Sequence, residues 1–136
     1  MKSPVWIDKR EALALHDQLL ALYGGPSGVR DRGLLESALA RARQIHSYAN
    51  APDIIELAAA YTAGIVRNHP FADGNKRTGF VVGILFLELN GFRFTATEEA
   101  AAQAVLDLAA GNLDEPGYTE FLRANSKPVR RTKGKA

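Results

Sequence analysis

Nine consecutive residues, His69-Pro70-Phe71-Ala72-Asp73-Gly74-Asn75-Lys76-Arg77, bring an imidazole, a carboxylate, an amide and two cations into one short interval. A loop that only joins two helices does not need that set. A histidine such as His69 can take a proton from an attacking hydroxyl near neutral pH. Asp73 offers hard oxygen ligands to magnesium, which accepts one or two carboxylates together with phosphate oxygens. Gly74 lets an anion approach the backbone closely. Lys76 and Arg77 fall where a new helix starts, an end whose unpaired N–H groups and partial positive charge already attract anions. Cations are locally unfavourable in a first helical turn, so their presence makes sense if a phosphate occupies the site. Phe71 is expected to turn inward and anchor the loop. Plainer roles exist for each residue taken singly. A histidine before proline can simply bond a helix end, Asp73 or Asn75 can be an N-cap, and Lys76 and Arg77 can be solvated.

The elements that must position these residues are helices with legible starts. Asp8 with Glu11 three residues on forms a capping box, and the helix carries Leu13, Leu15, Leu19, Leu20 and Leu22 to a stop at Gly24-Gly25. Asp31 caps a second helix whose Leu34, Leu35, Ala38 and Leu39 share a face, ending between Gln44 and Tyr48. Asp53 and Glu56 open a third, rich in Ile, Leu and Ala, which reaches Asn68 and is stopped by Pro70. A fourth runs from Asn75 to Asn90-Gly91. It is apolar almost all round, which marks it as the buried centre of the fold. Phe92-Arg93-Phe94 is short and extended. Thr95 with Glu98 opens an Ala-rich helix that stops at Gly111, and Asp114 with Pro116 opens a last one ending near Asn125. No alternating stretch is long enough to build a sheet. The expected fold is all-α: one domain over residues 1–126, about six helices around a central apolar helix, followed by a basic, disordered tail over 127–136.

Charge and composition narrow the function classes. The formal net charge of +2 and pI near 9 suggest a nucleic-acid partner until the charges are located. Lys127, Arg130, Arg131, Lys133 and Lys135 all lie in the tail; without them 12 basic residues face 15 acidic ones, a net of −3 for residues 1–126. The basic character therefore belongs to the tail. The absence of cysteine excludes disulfides and thiolate metal sites. No apolar run approaches the ~20 residues of a membrane span, and the start of the chain does not read as a signal peptide. These features fit a soluble, cytoplasmic protein.

The string His69–Arg77 resembles the signature of the Fic/Doc family, H-P-F-x-D/E-G-N-G/K-R, at eight positions. Arg30-Asp31-Arg32-Gly33-Leu34-Leu35-Glu36-Ser37-Ala38-Leu39 and Leu85-Phe86-Leu87-Glu88-Leu89-Asn90-Gly91 resemble its Doc, or death-on-curing, branch, and the likeness spans about residues 4–125. The resemblance implies that His69 is the catalytic base acting on a protein hydroxyl and that Asp73 binds magnesium. It implies that the backbone of Gly74, Asn75 and Lys76 forms the anion-binding turn for the phosphates of ATP, that Arg77 pairs with a phosphate, and that Phe71 anchors the loop. Adenylylating members carry glycine where this chain has Lys76, and often a second arginine where it has Phe80. In the Doc branch, lysine accompanies a reversed nucleotide and transfer of the terminal phosphate, so Lys76 and Arg77 would stabilise the moving phosphoryl group. The family's known target is elongation factor Tu.

Self-inhibited family members carry S/T-x-x-x-E-G/N. The nearest approach here, Thr95 to Glu99, is followed by Ala100 and breaks the pattern. The Doc-like alternative is a Phd-like antitoxin whose disordered segment folds onto an exposed apolar groove. Such a partner would make this chain the toxin of a type II toxin–antitoxin system. Other residues are expected to be structural: His16 and His46 surface or half-buried, Trp6 and Ile7 at the core edge, the Leu and Ala stripes in the core. Two competing functions remain: a nucleotidyl transferase that tolerates Lys76, and a non-catalytic module that contacts ribosomes or RNA through its basic tail.

Overall fold

A computed structural model of the protein describes residues 3–49 and 52–129. Six helices follow one another: α1 (Lys9–Tyr23), α2 (Arg32–Tyr48), α3 (Ile54–Asn68), α4 (Asn75–Leu89), α5 (Glu98–Ala110) and α6 (Glu115–Ala124). The capping boxes of Asp8 with Glu11 and of Asp53 with Glu56 form on both sides. Asp31 caps α2 and Asp114 caps α6 as the sequence suggests. Each such cap satisfies an orphan backbone donor of the first turn.

The central helix is α3, not α4. Eleven of its fifteen residues, from Ile55 and then Leu57 through Val66, are buried, and it packs against α2, α4, α5 and α6. Its small residues explain this. Gly64 lies against the Ala38 backbone of α2, where an added Cβ would stand 3.3 Å from Ala38 Cα. Gly79 and Gly83 of α4 lie against Thr62, Val66 and Ala58 of α3. The pairing of 83 with 58 and 79 with 66 shows that α3 and α4 run antiparallel. Thr62, fully buried, donates its hydroxyl to the Gly79 carbonyl at 2.8 Å. Helix α4 buries Thr78, Gly79, Val82, Gly83, Phe86 and Leu87 on one face. Its Phe80, Ile84 and Leu85 are only half-buried, because apolar character all round α4 serves two surfaces, the core and a cleft.

Three other expectations change. Thr97, not Thr95, caps α5 by accepting from Ala100 N at 3.1 Å. Thr95 instead bonds Asn125 O through both its N–H and its hydroxyl. It extends a small antiparallel sheet in which β1 (Phe92–Phe94) pairs with β2 (Ser126–Pro128). Lys127 and Pro128 thus belong to a strand rather than to a tail, and Val129 N donates to Gly91 O at 2.8 Å; residues 130–136 of the expected tail lie outside the described residues. His16 is buried, at 2% exposure, while Leu22 of the same helix is 75% exposed. His46 is exposed, Ile7 is buried, and Trp6 stacks on Phe86 at the core edge. Among the described residues, no helix is long and apolar enough to cross a membrane.

The α3–α4 contact yields a test. A methyl group on Gly83 would overlap the Thr62 hydroxyl and meet the Ala58 carbonyl at 3.0 Å. Gly83→Ala should therefore lose about 1–3 kcal/mol in urea unfolding despite the better helix propensity of alanine. A stabilised variant would show that the two helices can separate there without cost.

Candidate active site

The reversal between α3 and α4 takes six residues, His69 to Gly74. It is bounded by two left-handed residues. His69 has φ 50° and ψ 55°, the only positive φ outside glycine among the described residues. Gly74 has φ 78°. Pro70 forbids right-handed helix at His69, but the chain takes the left-handed bend there instead of the extended geometry that proline usually imposes. A non-glycine residue held so costs about 1–3 kcal/mol and is found where surrounding contacts over-determine it.

Those contacts come from two directions. From within the loop, the Asn75 side chain accepts from Phe71 N at 2.9 Å and donates to Phe71 O at 3.1 Å. Asn75 is therefore a clamp on the loop through its amide, beside any role of its backbone. From outside, the segment before α2 runs along the loop. Val29 forms an antiparallel bridge with Phe71, and Ala72 N donates to Gly28 O at 3.1 Å. Arg30 reaches the carbonyls at the end of α3, with Nε donating to His69 O at 2.7 Å and Nη2 to Asn68 O at 2.9 Å. Hydrogen bonds to charged groups contribute about 1.5–3 kcal/mol each when protected. Arg30 is exposed, so solvent reduces that figure.

Phe71 is 1% exposed and stacks face to face on His16, with ring centroids 3.9 Å apart and planes within 10°. His16 Nε2 lies 2.8 Å from the Asp73 carbonyl oxygen. A carbonyl only accepts, so Nε2 carries the proton. The burial of His16 is thus explained by a partner 57 residues away, which no local pattern in α1 announces. The next turn of α1 and the glycines after it complete the wall. Gly25 lies so close to Asp73 that an added Cβ would stand 2.5 Å from its Oδ2. The Arg77 guanidinium lies over the Tyr23 ring at 4.2 Å. Sequence patterns alone give no site role to His16, Tyr23, Gly25 or Arg30, although Gly25 is marked there as a helix stop and Arg30 opens the string that resembles the Doc branch.

The remaining site residues face outward. His69, Asp73, Lys76 and Arg77 are exposed, and Gly74 and Asn75 are half-buried. All six line one cleft of about 840 Å³. Helix α4 opens into this cleft with no side-chain cap, whereas α1, α2, α3, α5 and α6 are each capped by an Asp or Thr. The free N–H groups of its first turn thus share a mouth with Lys76 and Arg77, which suits a multiply charged anion. Among the described residues, no group of three or more His, Cys, Asp and Glu could hold a metal ion alone. The single carboxylate of Asp73 fits a magnesium ion that arrives already bound to phosphate oxygens. Away from the loop the cleft turns apolar, walled by Phe80 and Ile84 of α4, Phe94 of β1 and Ala101, Val105 and Leu106 of α5.

The model of the Fic/DOC family matches residues 6–87. The "Protein kinase doc" of Escherichia phage P1 is 33% identical over 117 residues, 86% of this chain and 92% of its own length. The "Toxin Doc" of Mycolicibacterium smegmatis is 39% identical over 75 residues, 54% of this chain and 58% of that one.

His16 gives this site its sharpest structural test. His16→Phe keeps a ring against Phe71 but leaves the Asp73 carbonyl without its donor. Chemical denaturation should show a loss of about 1–3 kcal/mol. Retention of full stability would mean that the carbonyl finds water at no cost.

Proposed function

The chain belongs to the Fic/Doc family, and from that premise we propose that it is a Doc-type toxin that phosphorylates a protein hydroxyl. The donor is ATP with Mg2+, the acceptor a Ser or Thr of a translation factor, and elongation factor Tu is the first candidate. Arrest of translation follows from modifying such a factor. The observation that carries this reading is the cleft that joins His69 to the uncapped start of α4, with Asp73, Lys76 and Arg77 at the same mouth.

The chemistry needs few moving parts. The target's hydroxyl oxygen attacks the terminal phosphorus, the bond from that phosphorus to the ADP oxygen breaks, and the hydroxyl proton passes to the His69 imidazole. Negative charge spreads over the transferring group and its leaving oxygen. Lys76, Arg77 and the free N–H groups of α4 stabilise it from fixed positions, which avoids reorganisation during the step. The Arg77 guanidinium lies over the Tyr23 ring, 4.2 Å from its centroid. A magnesium ion held between Asp73 and the phosphates would neutralise charge that the protein's cations do not reach. Lys76 occupies the place of the adenylylating members' glycine, and Phe80 that of their second arginine. Both substitutions favour transfer of the terminal phosphate over transfer of the nucleotide.

Inhibition in this reading comes from a Phd-like antitoxin. The apolar end of the cleft, lined by Ile84, Val105 and Leu106 (49% exposed), suits the apolar face of a peptide that folds on binding. Association with the product of the adjacent gene should bury it and abolish toxicity.

The deciding experiment is label transfer to elongation factor Tu, with ATP labelled at either the terminal or the α-phosphate. We expect label from the terminal phosphate only. His69→Ala should lower the rate about 10²–10⁴-fold, the usual contribution of a general acid or base, with the fold retained. Asp73→Asn should remove most of the magnesium-dependent rate. Label from the α-phosphate would assign the protein to nucleotidyl transfer. Undiminished toxicity of His69→Ala would refute the base, and loss of toxicity on deleting residues 130–136 alone, which leaves β2 in place, would favour a binding module.

A further inference from the structure

We infer that Arg30, outside the nine-residue motif, is the positioning residue that holds His69 in its left-handed geometry and so sets the aim of the base. The inference rests on the role proposed for His69. Its evidence is the hydrogen bonding of three successive carbonyls. Asn68 O and His69 O each accept from the Arg30 guanidinium, at 2.9 and 2.7 Å. Pro70 O accepts from Arg30 N at 2.7 Å and from Asp31 N at 3.1 Å. One residue therefore reaches every carbonyl across the point where α3 ends and the chain bends.

Arginine suits this place for a specific reason. The last carbonyls of a helix lack intrahelical partners, and a left-handed C-terminal residue is usually glycine or asparagine, with the return bonds made by the following backbone N–H groups. Here the residue is His69 and the one after it is Pro70, which has no N–H. His69 N still donates to Ile65 O at 3.1 Å, and the guanidinium supplies donors to the two carbonyls at the bend itself, Asn68 O and His69 O. Its planar fork spans two adjacent carbonyls, which the single ammonium of lysine cannot do in a fixed geometry. Asp31 is tied into the same arrangement, because its side chain caps α2 by accepting from Leu34 N at 3.0 Å. The α2 start and the α3 end are thereby fixed to each other.

Without the fork, the residue before a proline returns to the extended region that it prefers, and the imidazole swings with its backbone. The phosphate-binding end is built on α4 and does not depend on Arg30. Loss of Arg30 should therefore act on turnover and leave nucleotide binding intact.

The test uses Arg30→Ala and Arg30→Lys in the full chain. Turnover and KM for ATP come from label transfer, and the sign of φ at His69 from its intraresidue HN–Hα NOE, which is strong at positive φ. In Arg30→Ala we expect kcat to fall about 100-fold, the scale of a misplaced catalytic group. KM for ATP should stay within about twofold, and the NOE should weaken. Arg30→Lys, which keeps the charge, should fall between the two and decides the matter if the alanine variant does not fold. A retained NOE in the variant, or a rise in KM that accounts for the lost efficiency, overturns the inference. Absence of any transfer by the wild type would instead sink the phosphorylation reading. The NOE alone would then judge Arg30, its loss supporting the positioning role and its persistence overturning it.

Discussion

Everything at the site depends on how closely α3 and α4 approach. Two glycines of α4, Gly79 and Gly83, let its backbone settle against Thr62 and Ala58, and the Thr62 hydroxyl bonds directly to a main-chain carbonyl of α4. Helices packed this tightly and antiparallel bring the carbonyl end of one beside the N–H end of the other. The two ends carry opposite partial charges. A base at the first and a phosphate at the second, as proposed, would thus be a few residues apart in sequence and share one cleft. The six-residue reversal leaves no slack, which is why both its limits, His69 and Gly74, are left-handed.

A loop this tight is not held by its own residues alone. Asn75 closes it from inside, and the chain around α1 and α2 closes it from behind. His16 supports Phe71 by stacking and Asp73 by its proton, Gly25 makes room for the Asp73 carboxylate, and Val29 and Arg30 run along the backbone. The division of labour is physical. Side chains that would meet a ligand, His69, Asp73, Lys76 and Arg77, stay exposed, while backbone groups and buried rings fix their origins. This is the arrangement that a preorganised site requires, since charge stabilisation is strongest when donors need not move.

How much of this can be read from the sequence follows from the range of each interaction. Caps act over three residues, so Asp8, Asp31, Asp53 and Asp114 could be placed from local pattern. Thr95 satisfied the same pattern and was outcompeted by a long-range bond to Asn125. The centre of the fold went to α3 because burial is set by how small residues let neighbours approach from every side. An alanine-rich helix with one glycine permits that better than a helix of larger apolar residues, though the latter looks more hydrophobic. The motif His69–Arg77 was legible because its chemistry is contiguous. His16, Tyr23 and Arg30 were not, because each acts on a residue 38 or more positions away, and nothing in the helical period of α1 distinguishes a supporting histidine from a surface one.

Among the described residues, local helix-end rules are broken most densely at the site. α4 starts without a side-chain cap, with two cations in its first turn, after a left-handed glycine. α3 ends on a left-handed histidine rather than on glycine. Each departure costs stability, and the five well-capped helices and the glycine-packed α3–α4 pair supply the margin. Departures concentrated in this way mark function more reliably than residue type does. The same departures would be relieved by ligand: an anion at α4 satisfies its free donors and offsets Lys76 and Arg77 together. In the proposed toxin, ATP would then stabilise the fold as well as serve as substrate. A peptide lying in the apolar half of the same cleft, beside Phe80 and three residues from Arg77, would meet a surface whose charge depends on whether the phosphates are present. In that reading the ionic and apolar ends are two chemistries of one cleft.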